Sequence, residues 1–260
     1  MKRLFFLLCC ITLTHSFAVC AEPAWQQAKS THFIVHYKNA PLDFVNRSIE
    51  KLEACYDRIT ERLGFRRYNF WLWDNRALIY IHDDAGSFHA ATGQPSWVSG
   101  AVRPQEKIIH TFTNASGFFE SLLPHEMAHI IFREFVGFNN RAVPVCLDEG
   151  VASYQEASRV ASAGQLIREA IRMNVFIRFE TLVQLNPQMM GDQSVVQLFY
   201  AESVNVVDYL IRTFGADRFV SFCQALRDKQ DLVRSLASTY SFGSVAEMGD
   251  AWMRSLTSKK

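Results

Sequence analysis

Two histidines four residues apart, with a glutamate directly after the first, stand in Pro124-His125-Glu126-Met127-Ala128-His129, and a group of acids follows at Asp148, Glu149 and Glu156. On a helix, residues four apart are about 40° apart around the axis and roughly 6 Å along it, so both imidazoles can reach one ion. Glu126 lies about 100° further round from His125, off such an ion but beside an open coordination position. From there it can take a proton from a metal-bound water, whose pKa an ion such as zinc lowers to about 7. The pattern therefore predicts metal-assisted hydrolysis with Glu126 as general base and then general acid. Two imidazoles, a carboxylate and a water suit Zn²⁺ best, one ion per chain, although cobalt and manganese accept the same donors.

A third ligand is required. A third histidine six residues beyond His129 would fall on Phe135, and Phe132 stands where that pattern needs glycine, so a three-histidine site is excluded. Glu134 faces another side of the same helix. Asp148, Glu149 and Glu156 remain, all reached after a loop that could reverse the chain. The other histidines beyond residue 21, His32, His36, His82, His89 and His110, lack ligand spacing and read as structural or surface groups.

At these residues a resemblance becomes specific. Leu147-Asp148-Glu149-Gly150-Val151-Ala152-Ser153-Tyr154-Gln155-Glu156, following the two histidines at this distance, resembles the gluzincin metallopeptidases, above all the aminopeptidase N-like branch and the small peptidase-MA-like proteins related to it. The resemblance implies a thermolysin-like catalytic domain in which the glutamate before glycine, Glu149, is the third zinc ligand. A helix antiparallel to the first would bring it to the same ion. The resemblance also implies that Ser153 supports the first histidine and that Tyr200, on a later helix, stabilises the oxyanion of the tetrahedral intermediate. Looser similarity covers most of the chain, including Gln197 to Ser203 and the break at Gly215. Where true aminopeptidases carry a glutamate that recognises the substrate's free amine, this chain has Gly100-Ala101-Val102-Arg103-Pro104, so aminopeptidase activity does not carry over.

Apolar periodicity supplies the elements that must position these groups. Strands are predicted at 32–37, 77–82, 97–102 and 107–112, with a polar turn at 83–87 and a helix over 42–63. After residue 115 the pattern is helical, over about 117–136, 148–160, 163–175, 194–214, 216–228 and 244–256. Pro124 sits awkwardly inside the first of these, so that helix either begins near it or bends there. The expected fold is α+β: a small mixed-sheet lobe with a helix (about 30–115), then a mainly helical lobe (about 116–258), one domain over 22–260 with the zinc site at the seam. The strand at 97–102 is a candidate edge against which an extended peptide could pair.

Composition bounds the rest. The chain has 260 residues and is 49% hydrophobic, enough for a substantial core. Lys2 and Arg3, an apolar run from Leu4 to about Leu13 and small residues before Glu22 read as a signal peptide over 1–21, cleaved after Ala21. Its run is too short for a bilayer span, and a lipid anchor on Cys20 is disfavoured by the bulk of Val19. The expected protein is exported, periplasmic or secreted. Without that leader the 27 basic residues fall to 25 against 26 acidic, so neither a nucleic-acid partner nor a polybasic membrane surface is implied. Cys55, Cys146 and Cys223 remain, an odd number among apolar neighbours, best read as small buried hydrophobes. The expected partner is a peptide or protein substrate. The alternative is a zinc-bound module of the same fold that captures a peptide without cutting it.

Overall fold

The computed structural model describes residues 23–65, 68 and 70–257. The expected signal peptide lies outside the described residues. Five strands, β1 (Gln26–Lys29), β2 (Phe33–Tyr37), β3 (Ala77–His82), β4 (Gly100–Arg103) and β5 (Ile108–Phe112), form one mixed sheet in the order β1-β2-β3-β5-β4. The β2–β3 and β3–β5 pairs are parallel, and the two outer pairs are antiparallel. Parallel neighbours require a crossover, which between β2 and β3 is made by α1 (Leu42–Arg62). Its Val45, Leu52, Cys55, Tyr56 and Ile59 recur at helical spacing and are buried, facing Phe33, Val35, Ala77, Ile79 and Ile109 of the sheet within one core.

Alternation sends the other residues of each strand to the opposite face. There His36, Tyr80 and His110 stand in register across β2, β3 and β5, their rings stacked at centroid distances of 4.5 and 4.9 Å. The expected polar turn at 83–87 is instead the start of α2 (Ala85–Thr92): the Asp84 carboxylate accepts from the Ser87 amide at 2.7 Å, and Ser87 Oγ accepts in return from the Asp84 amide. Strand β1 was also not anticipated, because its sequence is too polar to alternate clearly.

The helical part comprises α3 (Leu123–Val136), α4 (Val145–Ser153), α5 (Ala157–Arg172), the short α6 (Phe179–Leu182), α7 (Gln193–Phe214), α8 (Ala216–Lys229), α9 (Leu232–Tyr240) and α10 (Val245–Thr257). The expected helices at 148–160 and 163–175 are in fact α4 and α5, with the break at Tyr154–Glu156, and α9 lies where no element is expected from sequence. The architecture is α+β, as expected, with the histidine pair between sheet and helices. Cys55, Cys146 and Cys223 are free and buried. Among the described residues, no helix is long and apolar enough to cross a membrane.

Candidate metal centre

Pro124 is accommodated because α3 starts beside it. Residues Phe118–Leu122 form a π-helical turn, and α3 follows with the proline in its first turn, where a missing amide hydrogen costs nothing. One face of α3 carries Met127, Ile130 and Ile131, all fully buried, each contributing about 1.5–3 kcal/mol by burial. That anchored face leaves His125, Glu126 and His129 on the side toward the cleft.

The chain then returns through a loop pinned by Asn140. Its side-chain amide donates to the carbonyls of Val136 and Leu226, both at 2.9 Å, and its oxygen accepts from the Ala142 amide. Pro144 ends the loop and α4 begins, packed on α3 and α7. Gly150 sets how closely α4 approaches α7, since a Cβ there would lie 2.4 Å from the carbonyl oxygen of Ser203. The glycine after Glu149 thus has a packing reason, and it fixes the depth at which Glu149 enters the site.

Three donor atoms converge. His125 Nε2 and His129 Nε2 are 3.2 Å apart, and Glu149 Oε2 is 3.6 Å from each. Zinc bonded tetrahedrally at 2.0–2.2 Å requires donors separated by about 3.3–3.5 Å, so these separations fit such an ion. Among the described residues, His125, His129 and Glu149 are the one group of three such donors close enough to hold a metal.

Asp148 and Glu156, both weighed as ligands from sequence, serve the imidazoles from behind. Asp148 Oδ1 accepts from His129 Nδ1 at 2.9 Å and Oδ2 from Arg133 Nε at 2.7 Å. Glu156 Oε1 accepts from His125 Nδ1 at 2.8 Å and forms an ion pair with Arg159 Nε at 2.8 Å, while Oε2 accepts from Ser121 Oγ at 3.2 Å. A hydrogen held on each Nδ1 leaves the Nε2 lone pairs for a cation. The break after α4 makes the Glu156 contact possible, because a continuous helix would carry that residue past His125. Ser153 was expected in this role, but it is fully buried and its Oγ has no hydrogen-bond partner among the described residues. The glutamate three residues on takes the nitrogen instead.

Electrostatics follow this geometry. Burial opposes charge on His129, but hydrogen bonds to Asp148 and Glu149 outweigh it and raise its pKa to about 10. Burial likewise opposes ionisation of Glu149, yet its hydrogen bonds with His125 and His129 hold it down at about 2. The group is therefore poised to hold positive charge among carboxylates.

The Glu126 side chain makes no hydrogen bond or ion pair among the described residues, and together with His125 it lines a cavity of about 500 Å³. Gly100 of the edge strand β4 and the exposed Trp97 form the opposite rim. Gly100 is needed there, because a Cβ would meet Leu122 at 2.6 Å and Phe118 at 2.9 Å. Tyr200, on α7, is half-buried with its ring centroid 5.4 Å from the Arg159 guanidinium carbon. Burial raises its pKa, and the charges of Glu149 and Glu126 raise it further, so the phenol stands within electrostatic reach of both carboxylates. Sequence reasoning did not single out Arg133, Arg159 or Ser121. The need of each ligand imidazole for an acceptor on its other nitrogen could have pointed to Asp148 and Glu156.

No curated protein matches the chain. Residues 74–258, more than half of the chain and all of the site, match the family described as the Peptidase MA superfamily. With the His125, Glu126, His129 and Glu149 arrangement at its centre, the chain belongs to the Peptidase MA superfamily as a gluzincin-type metallopeptidase.

Proposed function

We propose that the protein is an exported zinc-dependent peptidase that hydrolyses peptide bonds with Glu126 as the proton-transferring group. One observation carries this reading: Glu126, a carboxylate without a partner among the described residues, lines an open cleft beside His125, one of three converged donors. A purely structural metal site has no use for such a group. His125, His129 and Glu149 would hold the ion, which when bound supplies Lewis acidity that brings the pKa of water down toward 7.

The chain's own residues do the rest. Glu126 accepts the proton of the attacking water and passes it to the departing amine. Tyr200 donates its phenolic hydrogen to the carbonyl oxygen as negative charge builds there. The free edge of β4 offers backbone groups with which an extended peptide can pair, setting the scissile bond over Glu126. Export is supported by the basic and apolar start of the chain.

The test is the metal content of the purified chain lacking residues 1–21, read together with mass spectrometry of a mixed peptide pool. One zinc per chain, with cleavage products that vanish on chelation and return with zinc, is the expected result. Metal without cleavage in any peptide would instead favour a silent, peptide-capturing module.

A further inference from the structure

Two cavities meet at one side chain. The first is the cleft above the metal centre; the second, of about 260 Å³, lies between α5 and α7, and Arg159 lines both. Leu166, Val196 and Val204 give the second cavity apolar walls, Ser162, Gln197 and Tyr200 its neutral polar groups, and among the described residues no acidic one lines it. Its size suits one residue of a ligand rather than a whole small molecule, whose pockets begin near about 300 Å³. Arg159 commits Nε to Glu156, and its side chain is 47% exposed. Among the described residues its terminal guanidinium nitrogens make no hydrogen bond, which leaves charged donors at the junction of the two cavities.

We infer that the α5–α7 cavity is a subsite of the peptide cleft and that Arg159 makes it select a substrate residue bearing a carboxylate. The inference rests on the peptidase reading above and adds a substrate class to it. A guanidinium with two free nitrogens matches a carboxylate in shape and charge, and the apolar walls shelter that pair from water. The carboxylate can come from an acidic side chain or from a free C-terminus. Arg159 is a specificity-determining residue in this scheme, apart from its contact with Glu156.

The test uses the chain lacking residues 1–21 and carrying Glu126→Gln, so that peptides bind without being cut. Its probes are fluorescein-labelled octapeptides of alanine and glutamine with an amidated C-terminus, matched peptides in which one glutamate replaces glutamine at each position in turn, and the all-glutamine peptide with a free C-terminus. Anisotropy should show at least about tenfold tighter binding for glutamate at one position, or for the free C-terminus, as a charge-assisted hydrogen bond provides. Which arm responds identifies the source of the carboxylate. Adding Arg159→Gln should bring that ratio to about one, whatever change through Glu156 is common to both peptides; Arg159→Lys should keep part of it. A role confined to holding Glu156 would weaken both peptides equally. Leu166→Trp, which fills the cavity from its exposed wall, should also lower the ratio with the guanidinium intact. Ratios within twofold at every position and terminus, absence of saturable binding, or a ratio that survives Arg159→Gln would overturn the inference. Cleavage of the same peptides with Glu126 restored separates the two readings: cleavage without preference removes the subsite alone, and selective binding without cleavage removes hydrolysis alone.

Discussion

Asp148 and His129 are joined through Oδ1 and Nδ1 at 2.9 Å, while the neighbouring Glu149 lies 3.6 Å from the opposite nitrogen of the same imidazole. Two adjacent acids thus take the two sides of one ring. His125 is treated alike, with Glu149 at Nε2 and Glu156 at Nδ1. Each outer carboxylate is in turn held by an arginine, Arg133 or Arg159, so both imidazoles are fixed in direction, each with Nδ1 turned to a carboxylate.

Asp148→Asn should therefore lower zinc affinity by about 10- to 100-fold without unfolding the chain, because the ligands survive but the ring loses its charged acceptor. Competition with a fluorescent chelator reads this directly. Affinity equal to that of the unmodified chain would show that the Asp148 contact does not tune the site.

Glu156→Gln should weaken zinc binding by a similar factor, whereas Ser153→Ala should leave it unchanged. The serine hydroxyl is buried without a partner among the described residues, so its removal deletes an unsatisfied polar group and no contact to His125. A loss in Ser153→Ala matching that in Glu156→Gln would restore the role that the family resemblance gave to serine.

How much of this was legible beforehand depended on the range of the interaction involved. The i, i+4 histidines and Glu126 lie on one helix, where spacing alone fixes relative direction, and they could be read from a short stretch of chain. Glu149 needed the chain reversal through Asn140, which single-chain periodicity does not report, and it was picked out by resemblance. The break at Tyr154–Glu156 was missed because the apolar pattern runs on through it; what bends the chain there is a set of turn hydrogen bonds together with the Glu156 contacts to His125 and Arg159. The capped helix α2 was read as a turn because Asp84 and Ser87 favour both, and only the reciprocal bonds decide between them.

Glu126→Gln should retain zinc and lose peptide hydrolysis by at least about 10²-fold, the usual contribution of a positioned general base. The glutamine preserves shape and cannot accept the proton. Metal analysis and peptide turnover on the same preparation provide the check, and undiminished turnover would exclude Glu126 as the base.

Gly150→Ala should destabilise the fold by about 1–3 kcal/mol, since the new Cβ would press on the Ser203 carbonyl, a backbone group that cannot swing aside. For a chain of this size that lowers Tm by several degrees. The same displacement moves Glu149, so zinc affinity should fall with it. Thermal unfolding with and without zinc separates the two effects, and an alanine variant with unchanged Tm would mean that α4 and α7 are less tightly apposed than described.

The outer face of the sheet should make the protein acid-sensitive through His110. Burial, then the charges of His82 and Arg103, hold its pKa down at about 4, against about 6.5 in an unfolded chain. Because the folded state favours the neutral ring, this group's contribution is complete above pH 6.5 and is lost as pH falls from 6.5 toward 4, where the unfolded chain binds the extra proton. The ring is only half-buried, so solvent screening limits the loss to the order of 1 kcal/mol. His110→Gln keeps a polar side chain in the row between Tyr80 and Ala101 and cannot titrate. Its Tm should consequently fall less than that of the unmodified chain between pH 7 and pH 4.5, the two curves converging as pH drops. Parallel curves across that window would show that His110 carries no part of the acid response.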